Sequence, residues 1–316
     1  MLNILKNTET KKMLEKIDNI EKGSWIDLQK PTESEIKRVV EETGVDEILL
    51  KSALDEEETS HIDTDDNQLL VSINMPITEK NNKGKYYTTM PIGILIVNDD
   101  YIITISSGKI NLVDMLSKKK KIVGEIATYK KSRLAFQLLY ITAVEFLKYL
   151  TYMSNDLEAF EDNLTKSMSN NELLKLINYQ KSMIFLNTAL KTNQSVIERL
   201  KRGKLIKLYE EDQDILEDAA IENRQAIEMA TIYGEILNGM TDIYGTVVSN
   251  NLNNVMKLLT SITVILSIPT LIASILGMNV IFPFDTGVSG FYIAMAITII
   301  ITISVAVWLN KKDMLK

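Results

Sequence analysis

Two stretches near the C-terminal end carry no charged residue: Leu258–Leu276 (LLTSITVILSIPTLIASIL) and Phe291–Leu309 (FYIAMAITIIITISVAVWL). Each is 19 residues long, close to the roughly 20 that a helix needs to cross a hydrocarbon core. Together they predict a hairpin of membrane-spanning helices. The connection Val280–Gly290 has no Lys or Arg, whereas Lys257 precedes the first stretch and Lys311, Lys312 and Lys316 follow the second. By the positive-inside rule both chain ends then lie in the cytoplasm and the short loop lies outside. The expected location is the cell membrane, multi-pass, with about four fifths of the chain before the hairpin on the cytoplasmic side.

What remains is a chain of 316 residues with 35 Lys+Arg against 42 Asp+Glu, a net charge of −7, no cysteine and one histidine. The missing cysteines exclude a disulfide framework, a thiolate zinc site and a cysteine nucleophile. A single His removes His-rich metal sites and leaves acid–base work to carboxylates, Lys or Tyr. The acidic balance argues against nucleic acid as a partner. The N-terminal MLNILKNTETKKM lacks the apolar run of a signal peptide. No phosphate loop of the Gly-x-x-x-x-Gly-Lys-Ser/Thr type occurs, so ATP-driven transport has no support; no organic cofactor and no enzymatic activity are expected.

Of five prolines, three fall in the first hundred residues and none between Ile92 and Ile268. Because Pro breaks helix interiors, this predicts a mixed N-terminal region followed by long helices. Ser24–Leu28 reads as a strand, and Thr32 with Glu35 has the spacing of a capping box opening a helix that Gly44 closes. Gln68–Asn74 and Tyr86–Val97 read as strands, followed by a turn at Asn98-Asp99-Asp100 and a partner strand at Tyr101–Ser106. From Ser132 the pattern is helical, with polar breaks near Ser167–Asn171 and Lys201–Lys204. The acidic run Glu210-Glu211-Asp212-Gln213-Asp214 suits a helix N-terminus, and no firm stop follows until Gly277. A helix of that extent would be about 100 Å long. The expected organisation is an α/β domain over residues 1–125 and a helical region over 126–209. A stalk helix over 210–276 runs into the first span, followed by an outer loop (277–290), a second span (291–309) and a basic tail (310–316).

Along the long helix one column recurs at alternating steps of four and three: Asp242, Thr246, Ser249, Asn253, Met256, Thr260 (or its neighbour Leu259), Thr263, Ser267, Thr270, Ser274. This is the a/d spacing of a left-handed bundle, yet it is almost wholly polar. Inside a membrane such a seam needs hydrogen-bond partners. Either symmetry-related copies surround water and the column lines a pore, or the small polar residues hold helices together.

Gly277-Met278-Asn279, at the outer end of the first of two C-terminal spans, resembles the signature tripeptide of the CorA-type magnesium and divalent-cation transporters. The two-span hairpin, basic tail, long preceding helix, the Trp25-Ile26-Asp27-Leu28 strand and the run from Asn253 through Val255-Met256-Lys257 to Leu259-Thr260 extend the resemblance over nearly the whole chain. It implies an α+β cytoplasmic domain followed by a long stalk helix and two C-terminal transmembrane helices, assembled as a funnel-shaped homopentamer in the lipid bilayer. The family's pore column falls on Asp242, Asn253, Met256, Leu259, Ser267, Thr270 and Asn279; Thr263 and Ser274 join it through the periodicity. Gly277, Met278 and Asn279 would form the selectivity filter, with a ring of Asn279 side-chain oxygens binding the hydrated cation. Mg²⁺ dehydrates reluctantly, so neutral acceptors that hydrogen-bond its shell suit it. Met256 and Leu259 would form an apolar constriction.

The resemblance also implies a regulatory Mg²⁺ held between subunits. Its first acid corresponds to Asp218; the second position is Ser52, which leaves Asp55 and Glu56 of the following acidic run as substitutes. Ser267 replaces a bulkier apolar residue, Leu276 an aromatic, and the outer loop offers only Asp285 where the family carries a Pro-Glu pair. The implied function is a passive channel for hydrated Mg²⁺, with Co²⁺ and Ni²⁺ as further candidate cargo, gated by cytoplasmic Mg²⁺. Zinc or other divalent-metal transport on the same fold, and a membrane-anchored scaffold, are the alternatives; Met278 favours magnesium over the zinc branch. His61, in the polar stretch Glu-Thr-Ser-His-Ile-Asp, and Lys118–Lys121 read as solvated surface, and Trp308 as an interfacial anchor.

Overall fold

A computed structural model describes residues 1–9, 13–56, 58–81, 84–164, 170–203, 205–278 and 287–315. The chain divides into two compact units, Met1–Met240 and Thr241–Lys316. In the first, β1 (Leu2–Lys6), β2 (Glu15–Ile17), β3 (Trp25–Gln29), β4 (His61–Asp65), β5 (Gln68–Asn81), β6 (Gly84–Val97) and β7 (Tyr101–Ser106) form one sheet. Their order is β2-β1-β3-β7-β6-β5-β4. Only β3 and β7 pair in parallel; the remaining pairs are antiparallel.

Period-two alternation sends successive side chains to opposite faces, and each face has its own core. Ile26, Leu28, Leu70, Leu95, Ile103 and Ile105 pack beneath α1 (Glu33–Thr43) and α2 (Glu47–Ser52). Trp25, Ile73, Met75, Ile92 and Ile94 face the other way, among residues of α3 (Leu112–Lys118), α4 (Lys120–Val123), α5 (Lys131–Leu164), α6 (Asn170–Lys201) and the first turns of α7 (Glu210–Leu276). The observed first unit is therefore an α+β domain with helices on both faces of its sheet.

Local chemistry explains the element ends. Thr32 Oγ1 accepts from the Glu35 N–H, Glu35 Oε2 accepts from the Thr32 N–H at 2.9 Å, and Gly44 closes α1 with φ of 69°. Strand β5 runs past the expected Asn74 to Asn81 because Pro76 does not end it, while β6 contains Pro91 as expected and begins two residues earlier, at Gly84. Proline is tolerated in a strand where no neighbour needs its N–H. The β4 ladder stops at Ser72 and the β7 ladder at Ile92, so both prolines sit where one side of the strand is unpaired. Strands β1, β2 and β4 are short, β2 and β4 are mostly polar, and pattern alone does not reveal them.

The one buried carboxylate of the central sheet, Asp27, accepts from Thr104 Oγ1 at 2.8 Å and Gln29 Nε2 at 2.6 Å. Burial raises its pKa, against the pull of these donors. Gly93 on β6 lets α2 approach the sheet: an added Cβ would stand 2.4 Å from the Ala53 Cβ and 2.9 Å from Ile105 Cγ2. Gly93→Ala is therefore expected to destabilise this domain by about 3 kcal/mol, the upper range for overpacking. Chemical denaturation of the two proteins checks it; an unchanged midpoint would show that α2 yields freely.

The second unit holds the remainder of α7, which continues through Pro269, and α8 (Val288–Lys311). Among the described residues three helices are long and apolar enough to cross a membrane by length and composition. One of them, Lys131–Phe160 in α5, has 67% of its apolar stretch buried within the fold, against 6% for α7 and for α8. The first is a core helix; the other two expose their apolar surface.

Candidate functional site

The candidate site is a face of α7 in the second unit. Asp242, Thr246, Ser249, Asn253, Met256, Thr260, Thr263, Ser267, Thr270 and Ser274 are all exposed. Met256 is 53% and Leu259 58% accessible. The least exposed positions of the same stretch are Tyr244, Val247, Ser261, Ile265, Ile268, Pro269 and Ile272. At 3.6 residues per turn these lie about 120–180° round the helix from the column, on its opposite side. On α8 the reduced exposure recurs at Ala294, Thr298, Thr302, Val305, Ala306 and Leu309. The polar column thus occupies a free face of α7, and the covered stripe is mostly apolar.

The column's hydroxyls have a defined polarity. Thr246 Oγ1 donates to the Asp242 carbonyl (3.0 Å), Thr263 to Leu259 (2.8 Å), Ser267 to Thr263 (2.7 Å) and Thr270 to Leu266 (3.1 Å). Each hydroxyl has one proton, and in these four residues it is spent one turn back on the helix. What remains facing outward is oxygen lone pairs. Asn253 adds an amide, and Met256 and Leu259 interrupt the run with apolar surface. Asp242 is the column's carboxylate. A face of neutral acceptors matches donors such as the water shell of a cation, whose hydrogens point outward. Pro269 has no N–H to give the Ile265 carbonyl, so a local backbone acceptor is also released there.

At the outer end, the Gly277 N–H donates to the Ala273 carbonyl (2.9 Å) and the Met278 N–H to Ile275 (3.2 Å), closing the last turn. Met278 is 58% exposed. Asn279 and Asp285 lie outside the described residues.

The acids expected in regulation are on separate elements. Asp218 is exposed on α7, and its charge, after burial and beside Glu222, helps raise the Tyr140 pKa. Its neighbour Glu217 is ion-paired to Lys201. Asp55 and Glu56 follow α2, both exposed, and Ser52 Oγ donates to the Leu49 carbonyl at 3.0 Å. Among the described residues no three His, Cys, Asp or Glu side chains converge on a metal position. His61 lies on β4 with Nδ1 2.9 Å from the Thr59 carbonyl and Nε2 3.6 Å from Glu58. At the start of α7, burial raises the Asp212 pKa while Arg133, 3.3 Å away, opposes the rise.

One contributing residue escapes a reading by periodicity. Ser261 is fully buried, with Oγ 2.8 Å from the Lys257 carbonyl and 2.9 Å from that of Met314. It ties the tail after α8 to α7. Its helical phase, off the polar column, was the available signal.

With this geometry the chain can be set beside known proteins. The family described as CorA-like Mg²⁺ transporter protein matches residues 21–312. The cobalt/magnesium transport protein CorA of Methanocaldococcus jannaschii is 29% identical over 287 residues, covering 88% of this chain and 86% of its own. The magnesium transport protein CorA of Helicobacter pylori is 23% identical over 313 residues, covering 92% of this chain and 90% of its own. The complete structure of the CorA magnesium transporter from Methanocaldococcus jannaschii superposes with a TM-score of 0.82 at 26% identity, over 96% of each chain.

Proposed function

The chain belongs to the family of CorA-like Mg²⁺ transporter proteins, and from that premise we propose that it is a passive channel for hydrated Mg²⁺, with Co²⁺ as second cargo. Membership puts it among transporters rather than enzymes. In this reading five copies bring their α7 columns around a common axis, and the five α8 helices surround them. Both chain ends face the cytoplasm, and the α+β domains form the inner mouth. The carrying observation is the exposed α7 column, in which Thr263, Ser267 and Thr270 spend their hydroxyl protons on their own helix and whose opposite side holds the covered stripe.

Asn279, with Gly277 and Met278, is the proposed filter: a ring of amide oxygens that accepts from the ion's waters without removing them. Thr270, Ser267 and Thr263 continue the acceptor surface, and Ser274 lies nearest the filter. Met256 and Leu259 form the constriction, and Asn253 and Asp242 line the inner end. No carboxylate lies within the apolar part of the column, so a divalent ion meets no deep well there. A potential of 100 mV contributes about 2.3 kcal/mol per charge, hence about twice that for Mg²⁺, and no other driving force is needed.

The test is uptake into proteoliposomes loaded with a Mg²⁺-sensitive dye, with a Zn²⁺ dye in parallel. Potential-driven Mg²⁺ entry, blocked by cobalt hexaammine as a mimic of the hydrated ion, is the expected result. Zn²⁺ flux without Mg²⁺ flux would move the protein to zinc transport; no flux from a verified pentamer would leave the scaffold reading.

Asp218, with Asp55 or Glu56 of a neighbouring copy, is the proposed sensor of internal Mg²⁺. Asp218→Ala is expected to weaken the protection against proteolysis that millimolar Mg²⁺ gives the wild type. Undiminished protection in the variant would place sensing elsewhere.

A further inference from the structure

A second binding surface lies on the flank of α7, between the polar column and the stripe of reduced exposure. A cleft of about 550 Å³ is lined by Asn250, Asn254, Lys257, Thr260 and Met314, with Asn253 and Met256 at its border with the column. Lys257 is exposed and makes no ion pair among the described residues. The Ser261 contact with the Met314 carbonyl brings the tail to this flank. That tail carries Lys311 and Lys312 against the single carboxylate Asp313, and Lys312 Nζ sits 4.5 Å over the Trp308 ring.

The same flank changes character two turns further on. Val264, Ile268, Leu271 and Ile275 follow Lys257 at steps of seven, four, three and four, which keeps them at nearly its helical phase. Val264 is 39%, Leu271 61% and Ile275 45% exposed. A cationic and amide-rich cleft therefore heads an apolar strip beginning at the membrane boundary. An amphiphile with an anionic head and an acyl chain matches both halves, whereas a free anion would use only the first.

We propose that this flank is a binding site for an anionic phospholipid, its phosphate held by Lys257 with Asn250 and Asn254 as amide donors, and one acyl chain laid along Val264, Leu271 and Ile275. Basic clefts between membrane helices on the cytoplasmic side favour acidic headgroups. The assignment rests on the proposal that this part of α7 enters the bilayer, but not on the identity of the transported ion. It makes the tail-to-α7 tether part of a lipid-reading element.

The test is native mass spectrometry of the full-length protein in detergent micelles, titrated with phosphatidylglycerol or phosphatidylcholine. No ion gradient is involved, so the outcome is independent of cation flux. The expected result is at least tenfold tighter binding of phosphatidylglycerol in the wild type. Lys257→Gln should remove that preference and Lys257→Arg should keep it. Asn254→Leu, which changes no charge, should weaken binding at least threefold. Lys175→Gln, removing an equal charge from α6, should change nothing. Equal binding of the two lipids would overturn the proposal, as would equal losses from Lys257→Gln and Lys175→Gln, which would indicate diffuse attraction. Displacement of phosphatidylglycerol by inorganic phosphate at matching concentration would show an anion site with no lipid character.

Discussion

Replacing Asn279 by alanine is expected to abolish Mg²⁺ uptake in proteoliposomes while the assembly survives. A hydrogen bond to a charged partner is worth about 1.5–3 kcal/mol, and in the proposed ring every copy loses one. Since about 1.4 kcal/mol is tenfold in occupancy, the loss of a single such contact already lowers it at least about tenfold; loss of the ring should take flux to background. Alanine cannot accept from the ion's waters, and Mg²⁺ gives up those waters reluctantly, so no inner-shell route compensates. Asn279→Asp separates geometry from charge: it keeps the acceptors, should retain uptake, and should bind the ion more tightly with slower release. Size-exclusion chromatography confirms that the oligomer persists. Uptake by Asn279→Ala at the wild-type rate would remove the filter assignment and leave the α7 column without its entrance.

The sequence exposes some of this architecture directly and hides other parts for definite reasons. Helix α1 is legible because Thr32, Glu35 and Gly44 are local signals, and all three perform in the structure the roles their spacing suggests. Strand β7 is legible because a turn at Asn98-Asp99-Asp100 precedes a β-branched run; Asn98 and Asp99 adopt φ of 51° and 55° there. The start of α7 at Glu210 is announced by its acidic first turn. The far half of β5 is hidden, since whether a proline ends a strand depends on which neighbour needs its N–H, a tertiary fact. Strand β4 is hidden because His61–Asp65 is an edge whose polar side chains face solvent; only its pairing with Gln68–Ser72 defines it. In the candidate site, periodicity reveals the residues of the polar column but not the direction of their hydroxyl protons. Ser261, Thr298 and Thr302 turn their protons the same way, so it is exposure that separates the column from the covered positions. Ser261, buried and bonded toward Met314, shows the second use of the same residue type on the same helix.

The second large effect concerns Leu259, where the acceptor surface is interrupted. In the proposed pore Leu259 and Met256 form consecutive apolar rings, and a narrow apolar ring excludes water and with it a hydrated ion. Asparagine nearly matches leucine in size but carries an amide that water can wet. Leu259→Asn should therefore raise resting Mg²⁺ flux at least about tenfold, equivalent to about 1.4 kcal/mol off the barrier. The flux should also lose most of its dependence on internal Mg²⁺, because gating then no longer relies on drying. Leu259→Val, smaller but still apolar, should stay close to wild type. This pairing separates wetting from width: a larger gain in the valine variant than in the asparagine variant would mean that steric closure controls conduction. No change in either would place the barrier elsewhere on α7. The exposure of both side chains in the isolated chain fits a ring that copies complete, since a 58% accessible leucine on a free polar face has no packing partner in its own fold. Met256→Asn should act in the same direction one turn earlier. If the rings act in series, the double variant should exceed either single change by less than their product, because the first wetted ring removes part of the barrier that the second would lower.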